Sequence, residues 1–328
     1  MTGPRPGGLL RWMLRIVGSA ALIALLFVVL PTNAILSALS ELSLPVFGLC
    51  VAGFLLAHVF GIVKWQLMLR IAGCRLLWLS ASRCYLFGLF GNVFLPSLVG
   101  GDVVSVALAL QRTSNRLALV LGTLLARLLD LIVLGPAAVL GLFLLQNARP
   151  FAFDVGLSTG RLAAIIPVLA IVGASATLLA VRRSRRLRRI IGQLHDAGRA
   201  IGRRPVAFLS ALVAAMLQHA SLLGLAVVLG KAIGLDLPLA LWLFAWTGAK
   251  IAAFLPAGQA GIGTREAAFA AAVAPFGIEA PLAVAVSLAW EAVLLTACLA
   301  AGALGLSLGG SATLALLRKP EAKASLAT

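Results

Sequence analysis

The sequence predicts an all-α integral membrane protein with six full spans and two re-entrant broken hairpins, about eight hydrophobic segments arranged as an inverted repeat. Of its 328 residues, 62% are hydrophobic and 11% are charged, whereas about a quarter of the residues of a soluble domain are charged. The basic residues collect between long apolar runs. A Phe-Leu-Pro triplet that leads into glycines occurs twice, beginning at Phe94 and at Phe254. These three observations carry the prediction.

Composition also limits the classes of function. Apolar runs and short connections use nearly the whole chain, so we expect a single polytopic membrane domain over 1–328 and no aqueous catalytic domain. A net charge of +17 would indicate nucleic acid binding in a soluble protein. In a membrane protein it indicates basic loops kept in the cytoplasm, and no nucleic acid partner is expected. The four cysteines lack CxxC or Cys/His spacing, so they predict neither disulfides nor a metal, and no cofactor is expected.

The first two apolar runs set the orientation of the chain. Three arginines precede the run 16–30, which resembles the start of a signal peptide. Because further spans follow, we predict that it is an uncleaved first helix. The run 44–63 is long enough for a second span at about 1.5 Å per residue. The connection between the two runs contains no Lys or Arg, whereas 64–83 contains four such residues. The positive-inside rule therefore places the N-terminus in the cytoplasm.

The segment 80–110 is the first broken element. Its arms, 80–94 and 103–110, would reach about 22 Å and about 12 Å as helices, which fits either a re-entrant hairpin or one discontinuous span. The later loop 182–204 carries nine arginines against one aspartate. That loop would lie outside the cell if the broken element crossed the membrane once, against the positive-inside rule. We therefore predict a hairpin that returns to its own side and a cytoplasmic loop at 182–204.

The remaining runs complete two similar halves. A second broken element covers 237–273. Full spans are predicted at the other apolar runs, 117–145, 162–181, 206–229 and 282–306. Repeat one therefore covers 12–145 and repeat two covers 162–306. Since the second repeat enters the membrane from the opposite side, the repeat is inverted.

Each broken element combines helix-breaking residues with a carboxylate at the start of the next apolar run. The break motif consists of Pro96, Gly100, Gly101, Pro256, Gly261 and Gly263. Paired breaks in two halves are the usual position of a transporter's binding site. Asp102 and Glu266 follow the glycines, so we expect each near a helix N-terminus, where it would cap the helix or accept protons during transport. Asn92 and Gln259 lie close to the breaks, where they could satisfy freed backbone groups or contact the ligand.

Charged side chains at membrane depth cost roughly 3 kcal/mol each on insertion scales and are therefore candidates for function. The candidate substrate-binding residues are Asp102, Arg127, Asp130, Arg265, Glu266 and Glu291. Arg127 and Asp130 share one helix face and could instead only neutralise each other. Asp130 and Glu291 lie 161 positions apart. We expect the six to meet at one cavity near the membrane midplane, where Arg127 and Arg265 would contact a phosphate.

Four further polar residues have simpler expected roles. His58 and His219 also lie 161 positions apart. We expect them to form hydrogen bonds between helices rather than to carry protons. Lys64 and Lys250 are expected to extend their ammonium groups toward the membrane surface.

At the two break motifs and the charged residues near them, the chain resembles the lysylphosphatidylglycerol synthase/flippase transmembrane-region family of bacterial and archaeal membrane proteins. The resemblance covers about 15–306 and rests on Phe94-Leu95-Pro96 with Gly100 to Val104, on Arg127 with Asp130, and on Leu255-Pro256 with Gly261 to Ala267. It implies a lipid-translocating module, for aminoacylated phosphatidylglycerol in two-domain members and for lipid-linked sugars or hopanoids in stand-alone ones. The sequence has no stretch for a soluble aminoacyl-transferase domain, so synthase activity is not expected. Ser105 stands where many relatives have a basic residue.

Three functions compete. The first is a lipid flippase of the bacterial inner membrane with both termini cytoplasmic, and the second is a non-transporting accessory subunit of a lipid-modifying or glycosyltransfer complex. The third, a membrane-bound enzyme, is not expected, because the sequence contains no HExxH, P-loop or GxSxG motif. A charged, water-lined site formed by both repeats favours the flippase, and a site sealed by paired charges favours the accessory subunit. The expected partners are membrane lipids, with lipid-biosynthetic or glycosyltransfer enzymes as further candidates.

Single-cysteine labelling tests the predicted topology. In a variant whose four native cysteines are replaced, a cysteine within 182–204 should be protected from a membrane-impermeant maleimide in intact cells, because this basic loop stays inside. A cysteine within 146–160 should be labelled under the same conditions. The reverse pattern would contradict both the hairpin and the inverted repeat.

Overall fold

The computed structural model of the chain describes residues 32–94, 100–113, 115–147, 198–199, 201–252 and 264–308. The predicted spans at 16–30 and 162–181 lie outside this part, as does most of the loop 182–204. So do Pro96, Pro256, Gln259, Gly261 and Gly263. All regular elements within the described ranges are helices. The predicted all-helical class is therefore confirmed for this part of the chain.

The described helices are α1 (Thr32–Ser40), α2 (Leu44–Ile71), α3 (Trp78–Phe94), α4 (Gly100–Leu110), α5 (Arg116–Asn147), α6 (Pro205–Ala232), α7 (Leu239–Ala252), α8 (Thr264–Val273) with a 3-10 turn at Ala274–Phe276, and α9 (Ala280–Ser307). Four of them, α2, α5, α6 and α9, are long and apolar enough to cross a membrane. At about 1.5 Å per residue, α2 is about 42 Å long, against a hydrocarbon core of about 30 Å. The chain is a multi-pass membrane protein, and these helices correspond to four of the six predicted spans.

Helices α2 and α6 pack against each other along their length. Near the start of α2, the Cys50 Sγ lies 3.9 Å from the carbonyl oxygen of Leu225, toward the end of α6. At the other end of α2, the guanidinium of Arg204, just before α6, donates to the carbonyl oxygen of Arg70 at 2.6 Å. The contacts therefore run in opposite order along the two helices. Helices α2 and α6 are antiparallel.

The same glycine turn ends both helices. Gly73 follows α2 with a φ of 91°, and Gly234 follows α6 with a φ of 89°. In each turn the N–H of the next residue donates at 2.8 Å to a carbonyl five positions back in the helix. A positive φ costs glycine little because it has no β-carbon. Each turn leads the chain from a long helix into a pair of shorter ones.

The first pair of shorter helices, α3 and α4, forms an antiparallel hairpin. Where α4 begins, the N–H of Gly101 donates to the Oδ1 of Asn92 at 2.9 Å. Beyond the end of α4, Arg112 donates to the hydroxyl of Ser80 at 3.1 Å, beside the start of α3. The chain thus leaves the hairpin at the end where it entered. The prediction that Asn92 satisfies a freed backbone group is confirmed.

The second pair, α7 and α8, is joined by buried aromatic rings. Trp242 and Trp246 of α7 lie 5.5 and 5.3 Å from the ring centroid of Phe269 in α8. Trp246 also meets Trp290 of α9 edge-on at 5.2 Å. Aromatic pairs at these separations contribute about 0.5–1.5 kcal/mol each beyond the apolar area that they bury. This aromatic cluster holds the second pair of short helices against α9.

Each pair of short helices also packs on a long helix from the other half of the chain. Helix α3 packs on α9, where a β-carbon on Gly302 would meet the ring of Phe90, and α7 packs on α5 at Gly141. These crossings bring the helices close because glycine adds no side chain. The exchange between halves encloses a space in the middle of the molecule.

Replacing Gly141 by Ala should lower the stability of the protein. The added β-carbon would lie closer than 3.0 Å to backbone atoms of Ala240, Leu243 and Phe244, and overpacking of this kind costs typically about 1–3 kcal/mol. The matched control is Gly135→Ala on the same helix, where nothing lies within 4 Å of the added carbon. There the better helix propensity of Ala should leave stability unchanged or raise it by up to about 1 kcal/mol. Apparent melting temperatures in detergent measure both effects, and equal values for the two variants would contradict the crossing.

Candidate functional site

A cavity of about 240 Å³ lies in the centre of the molecule, and every helix from α2 to α9 contributes to its walls. One water molecule needs about 10–15 Å³ of such a cavity, so this cavity has room for many. Its polar wall residues are Lys64, Asp102, Arg127, Asp130, Lys250, Arg265 and Glu291, together with His58, Tyr85, Asn92, Ser105, Thr123, Gln218 and His219. Charges at such a depth must be paired or hydrated to be tolerated.

Arg127 of α5 forms a bidentate ion pair with Asp102 in the first turn of α4. Its Nε and Nη2 atoms donate to the two carboxylate oxygens at 2.5 and 2.7 Å, the geometry in which guanidinium and carboxylate bind most strongly. The close approach of α4 to α3 depends on Gly101, where a β-carbon would collide with the carbonyl oxygen of Gly88 and with the side chain of Asn92. The predicted position of Asp102 near a helix N-terminus is confirmed.

Asp130, one turn after Arg127, is only 5% exposed and is bonded from three directions. Lys64 of α2 donates to its Oδ1 atom in a short ion pair. His219 Nε2 of α6 lies 2.9 Å from the same oxygen, and Arg127 Nη1 lies 3.8 Å from Oδ2. Arg127 and Asp130 thus form an ion pair with each other, and each also has a closer ion-pair partner on another helix.

Arg265, at the start of α8, binds two carboxylates at once. Its Nη2 atom donates to Glu266 at 3.0 Å and to Glu291 of α9 in a shorter ion pair. Glu266 lies in the first turn of α8, as predicted, and is fully buried. The buried Nε–H of Arg265 has no acceptor within the described ranges. One donor of this guanidinium is therefore still to be satisfied.

Gln218 of α6 joins the ionic groups to a neutral part of the wall. Its amide oxygen accepts from Lys64 at 2.9 Å, because an ammonium group can only donate. Its amide nitrogen then donates to His58 Nδ1 at 3.2 Å and to the hydroxyl of Tyr85 at 3.4 Å. The Nδ1 atom of His58 is therefore an acceptor and carries no proton. The predicted role of the two histidines in hydrogen bonds between helices is confirmed, for His219 through Asp130.

The structure brings the predicted site residues together. Asp102, Arg127, Asp130, Arg265 and Glu291 line the cavity, and Glu266 contacts Arg265 behind its wall. Of the break motif, Gly100 and Gly101 begin α4, and Gly101 also lines the cavity. The role of these residues in binding a substrate stays a prediction.

Sequence reasoning missed the two lysines. Lys64 is 4% exposed and pairs with Asp130, so the expectation that it reaches the membrane surface is wrong. Lys250 also lines the cavity. The signal was available, because a charge inside an apolar helix usually faces the interior of the bundle. Gln218 and Tyr85 were also missed, although they are polar groups in apolar helices and gave a similar signal.

Comparison with known proteins gives one match. A family model described as "Lysylphosphatidylglycerol synthase TM region" matches residues 12–302, nearly the whole chain. No curated protein and no solved structure matched the sequence. The match agrees with the range of the resemblance that the motifs indicated.

A double-mutant cycle tests the bidentate pair. Asp102→Asn and Arg127→Gln should each lower the apparent melting temperature, because each leaves a charge of the cavity wall without its closest partner. The double variant should lose less stability than the sum of the two single losses, with a coupling free energy of about 1–3 kcal/mol. The control is the exposed pair of Lys231 and Asp236, 3.5 Å apart with side chains 60% and 80% exposed, where Lys231→Gln and Asp236→Asn should couple by about 1 kcal/mol or less. Additive losses at Asp102 and Arg127 would contradict the pairing.

Proposed function

Because the chain belongs to the lysylphosphatidylglycerol synthase TM region family, we propose that it is a flippase that moves a phospholipid or another polar-headed lipid across the bacterial inner membrane. The candidate substrates are an aminoacyl-phospholipid, a lipid-linked sugar and a hopanoid. The headgroup passes through the central cavity while the lipid tails stay in the bilayer. The proposal includes no chemical step on the lipid and no cofactor.

The observation that carries this proposal is the charged cavity itself. Seven side chains of Asp, Glu, Lys and Arg lie on its walls, although each costs about 2.5–3.5 kcal/mol at the centre of a membrane helix. Stability alone does not require them, because well-packed apolar residues often stabilise a core as well as buried ion pairs do. A cavity of this kind offers a polar headgroup the hydrogen bonds that lipid tails cannot.

The proposal includes an inverted repeat that relates the two halves. It is supported by the antiparallel packing of α2 and α6 and by two pairs of glycines that lie 161 positions apart. Gly73 and Gly234 form the same turn, and Gly141 and Gly302 lie at the crossings with the short helices. A two-fold axis in the membrane plane would pass where equivalent parts of α2 and α6 meet. That is beside His58 and His219, on the cavity wall.

The ion pairs support the same relationship. Each half places one carboxylate in the first turn of a short helix, Asp102 or Glu266, and a second on the long helix that follows, Asp130 or Glu291. An arginine contacts both carboxylates in each half. The long helix α5 supplies it in the first half, and the short helix α8 supplies it in the second. The two halves thus build similar charge clusters on opposite sides of the proposed axis.

Within this proposal the broken elements are re-entrant. Helices α3 and α4 are about 26 Å and about 17 Å long, shorter than the hydrocarbon core of about 30 Å. The bond from Arg112 to Ser80 joins the two ends of the hairpin. Arg70, Arg75 and Arg204 line one surface depression, so basic residues of both halves share a face. The positive-inside rule makes this face cytoplasmic, with both termini on its side.

Transport would proceed by exchange of partners. A headgroup phosphate must compete with Asp102 for the Nε and Nη2 atoms of Arg127, or with Glu291 for the Nη2 atom of Arg265, because these donors are already engaged. The first ion pair joins α4 to α5, and the second joins α8 to α9. Exchange of carboxylate for phosphate would loosen one short helix from its long neighbour. A lipid that binds the loosened state better would shift the population toward opening on that side.

The pairing of the charges favours a second candidate function. Every carboxylate of the cavity wall contacts a basic residue, as expected of a sealed site in a non-transporting accessory subunit. Such a subunit would hold a lipid for a lipid-biosynthetic or glycosyltransfer enzyme. The same family membership fits both candidates, and transport distinguishes them.

Lipid movement in proteoliposomes tests the flippase. An acyl-labelled fluorescent phospholipid should become accessible to an external quencher faster with the wild-type protein than in protein-free vesicles. Arg127→Gln and Arg265→Gln should each slow this movement by about tenfold, because a hydrogen bond to a charged group contributes about 1.5–3 kcal/mol. The matched control is Arg116→Gln, an exposed arginine at the start of α5 and outside the cavity, which should leave the rate unchanged.

The outcomes separate the candidates. Variants are compared at equal amounts of monodisperse protein, and Arg265→Lys separates loss of charge from misfolding. If the wild-type protein moves lipid and both Gln variants move it equally well, the site assignment is wrong. If the wild-type protein moves none of the candidate lipids, the flippase function is wrong and the accessory subunit remains.

A further inference from the structure

A cationic ligand would have to compete with the protein for the carboxylates of the cavity. Each of them is bonded by a basic group of the protein. The contacts are Asp102 with Arg127, Asp130 with Lys64 and His219, and Glu266 and Glu291 with Arg265. An ammonium group of an aminoacylated headgroup would share these carboxylates with the basic groups that already bind them.

Lys250 of α7 is the exception among the cations of the wall. It lines the cavity but makes no hydrogen bond or ion pair with any residue in the described ranges. The sequence between α7 and α8, 253–263, contains no Asp or Glu. Lys250 is partly exposed at the cavity wall, and its ammonium donors have no acceptor within the described ranges. These donors favour a ligand that brings acceptor oxygens.

A second donor in the same cavity lacks an acceptor. Arg265 also lines the wall, and its buried Nε–H is unsatisfied within the described part of the chain. Ammonium and guanidinium groups only donate hydrogen bonds. Both are satisfied by a group with several charged oxygens, and phosphate is the common lipid component with this property.

We propose that the cavity binds a headgroup whose phosphate leaves it with net negative charge, that Lys250 is the residue that binds this phosphate, and that Lys250 selects against cationic aminoacylated headgroups. That the ligand is a lipid rests on the proposed function. A soluble phosphate shares the chemistry, and the experiment separates the two sources. The selected lipid is then an anionic phospholipid or a lipid-linked phosphate, and lysylphosphatidylglycerol is disfavoured.

Transport selectivity is the first measurement. Proteoliposomes receive acyl-labelled phosphatidylglycerol, phosphatidylethanolamine or lysylphosphatidylglycerol, which are anionic, zwitterionic and cationic. The wild-type protein should move phosphatidylglycerol fastest and lysylphosphatidylglycerol slowest. Lys250→Gln should slow the movement of phosphatidylglycerol by about tenfold, the effect expected from losing one charge-assisted hydrogen bond. The rates for the three lipids should then become similar. Lys250→Arg should keep the preference, and the exposed Lys231→Gln should behave as wild type.

Binding is the second measurement and does not depend on transport. Dioctanoyl-phosphatidylglycerol should raise the apparent melting temperature of the full chain in detergent, because a ligand that binds only the folded state stabilises it. Dioctanoyl lysylphosphatidylglycerol should raise it less, and Lys250→Gln should remove the difference. Without ligand, Lys250→Gln should melt no lower than wild type, since Lys250 has no partner to lose in the described structure. Inorganic phosphate is the probe for the soluble source.

The results distinguish this inference from the proposed function. Equal preference for the anionic and cationic lipids, or a Lys250→Gln variant with wild-type preference, overturns the role of Lys250 and leaves the flippase intact. Lys250-dependent stabilisation by dioctanoyl-phosphatidylglycerol without transport overturns the flippase and supports the headgroup assignment. If inorganic phosphate alone produces the whole Lys250-dependent shift, the ligand is a soluble phosphate and the lipid assignment is overturned.

Discussion

The burial of Asp130 organises the helices around the cavity. This carboxylate is 5% exposed within a long apolar helix, and a buried charge without a partner costs several kcal/mol. Lys64 and His219 supply partners from α2 and α6, so three helices must converge at one point. Lys64 in turn fixes the amide of Gln218, which then meets α3 at Tyr85. One carboxylate thereby sets the positions of side chains on four helices.

The ionic network depends on small residues as much as on charge. A β-carbon on Gly61 would collide with the side chains of Tyr85 and Gln218, and one on Gly101 would collide with Asn92. Gly88 leaves room for the side chain of Ser105, which is 4% exposed at the contact of α3 with α4. Ser105 therefore occupies space that a longer side chain could take only by displacing α3.

If the protein is the proposed flippase, stability and transport place opposite demands on the same ion pairs. Each of these pairs joins a short helix to a long one at the cavity wall, and breaking it leaves two charges without their partners. A headgroup that offers the arginines a replacement for their carboxylates removes most of that penalty. The paired charges that favour an accessory subunit are therefore also compatible with a transporter at rest. What differs between the two functions is whether a lipid can complete the exchange.

The sequence by itself determined the features that depend on local composition. Hydropathy predicted the membrane class, proline and glycine located the two breaks, and the carboxylates after the glycines were predicted at helix N-termini, where Asp102 and Glu266 lie. Charges in apolar runs also named six candidate site residues, five of which line the cavity. Only the tertiary structure decided which cation meets which carboxylate, because the partners lie as far apart in the chain as His219 and Asp130, 89 positions. It also decided the direction of Lys64 and Lys250, because a flexible four-carbon side chain can reach the membrane surface or the bundle interior, and packing against neighbouring helices selects between them.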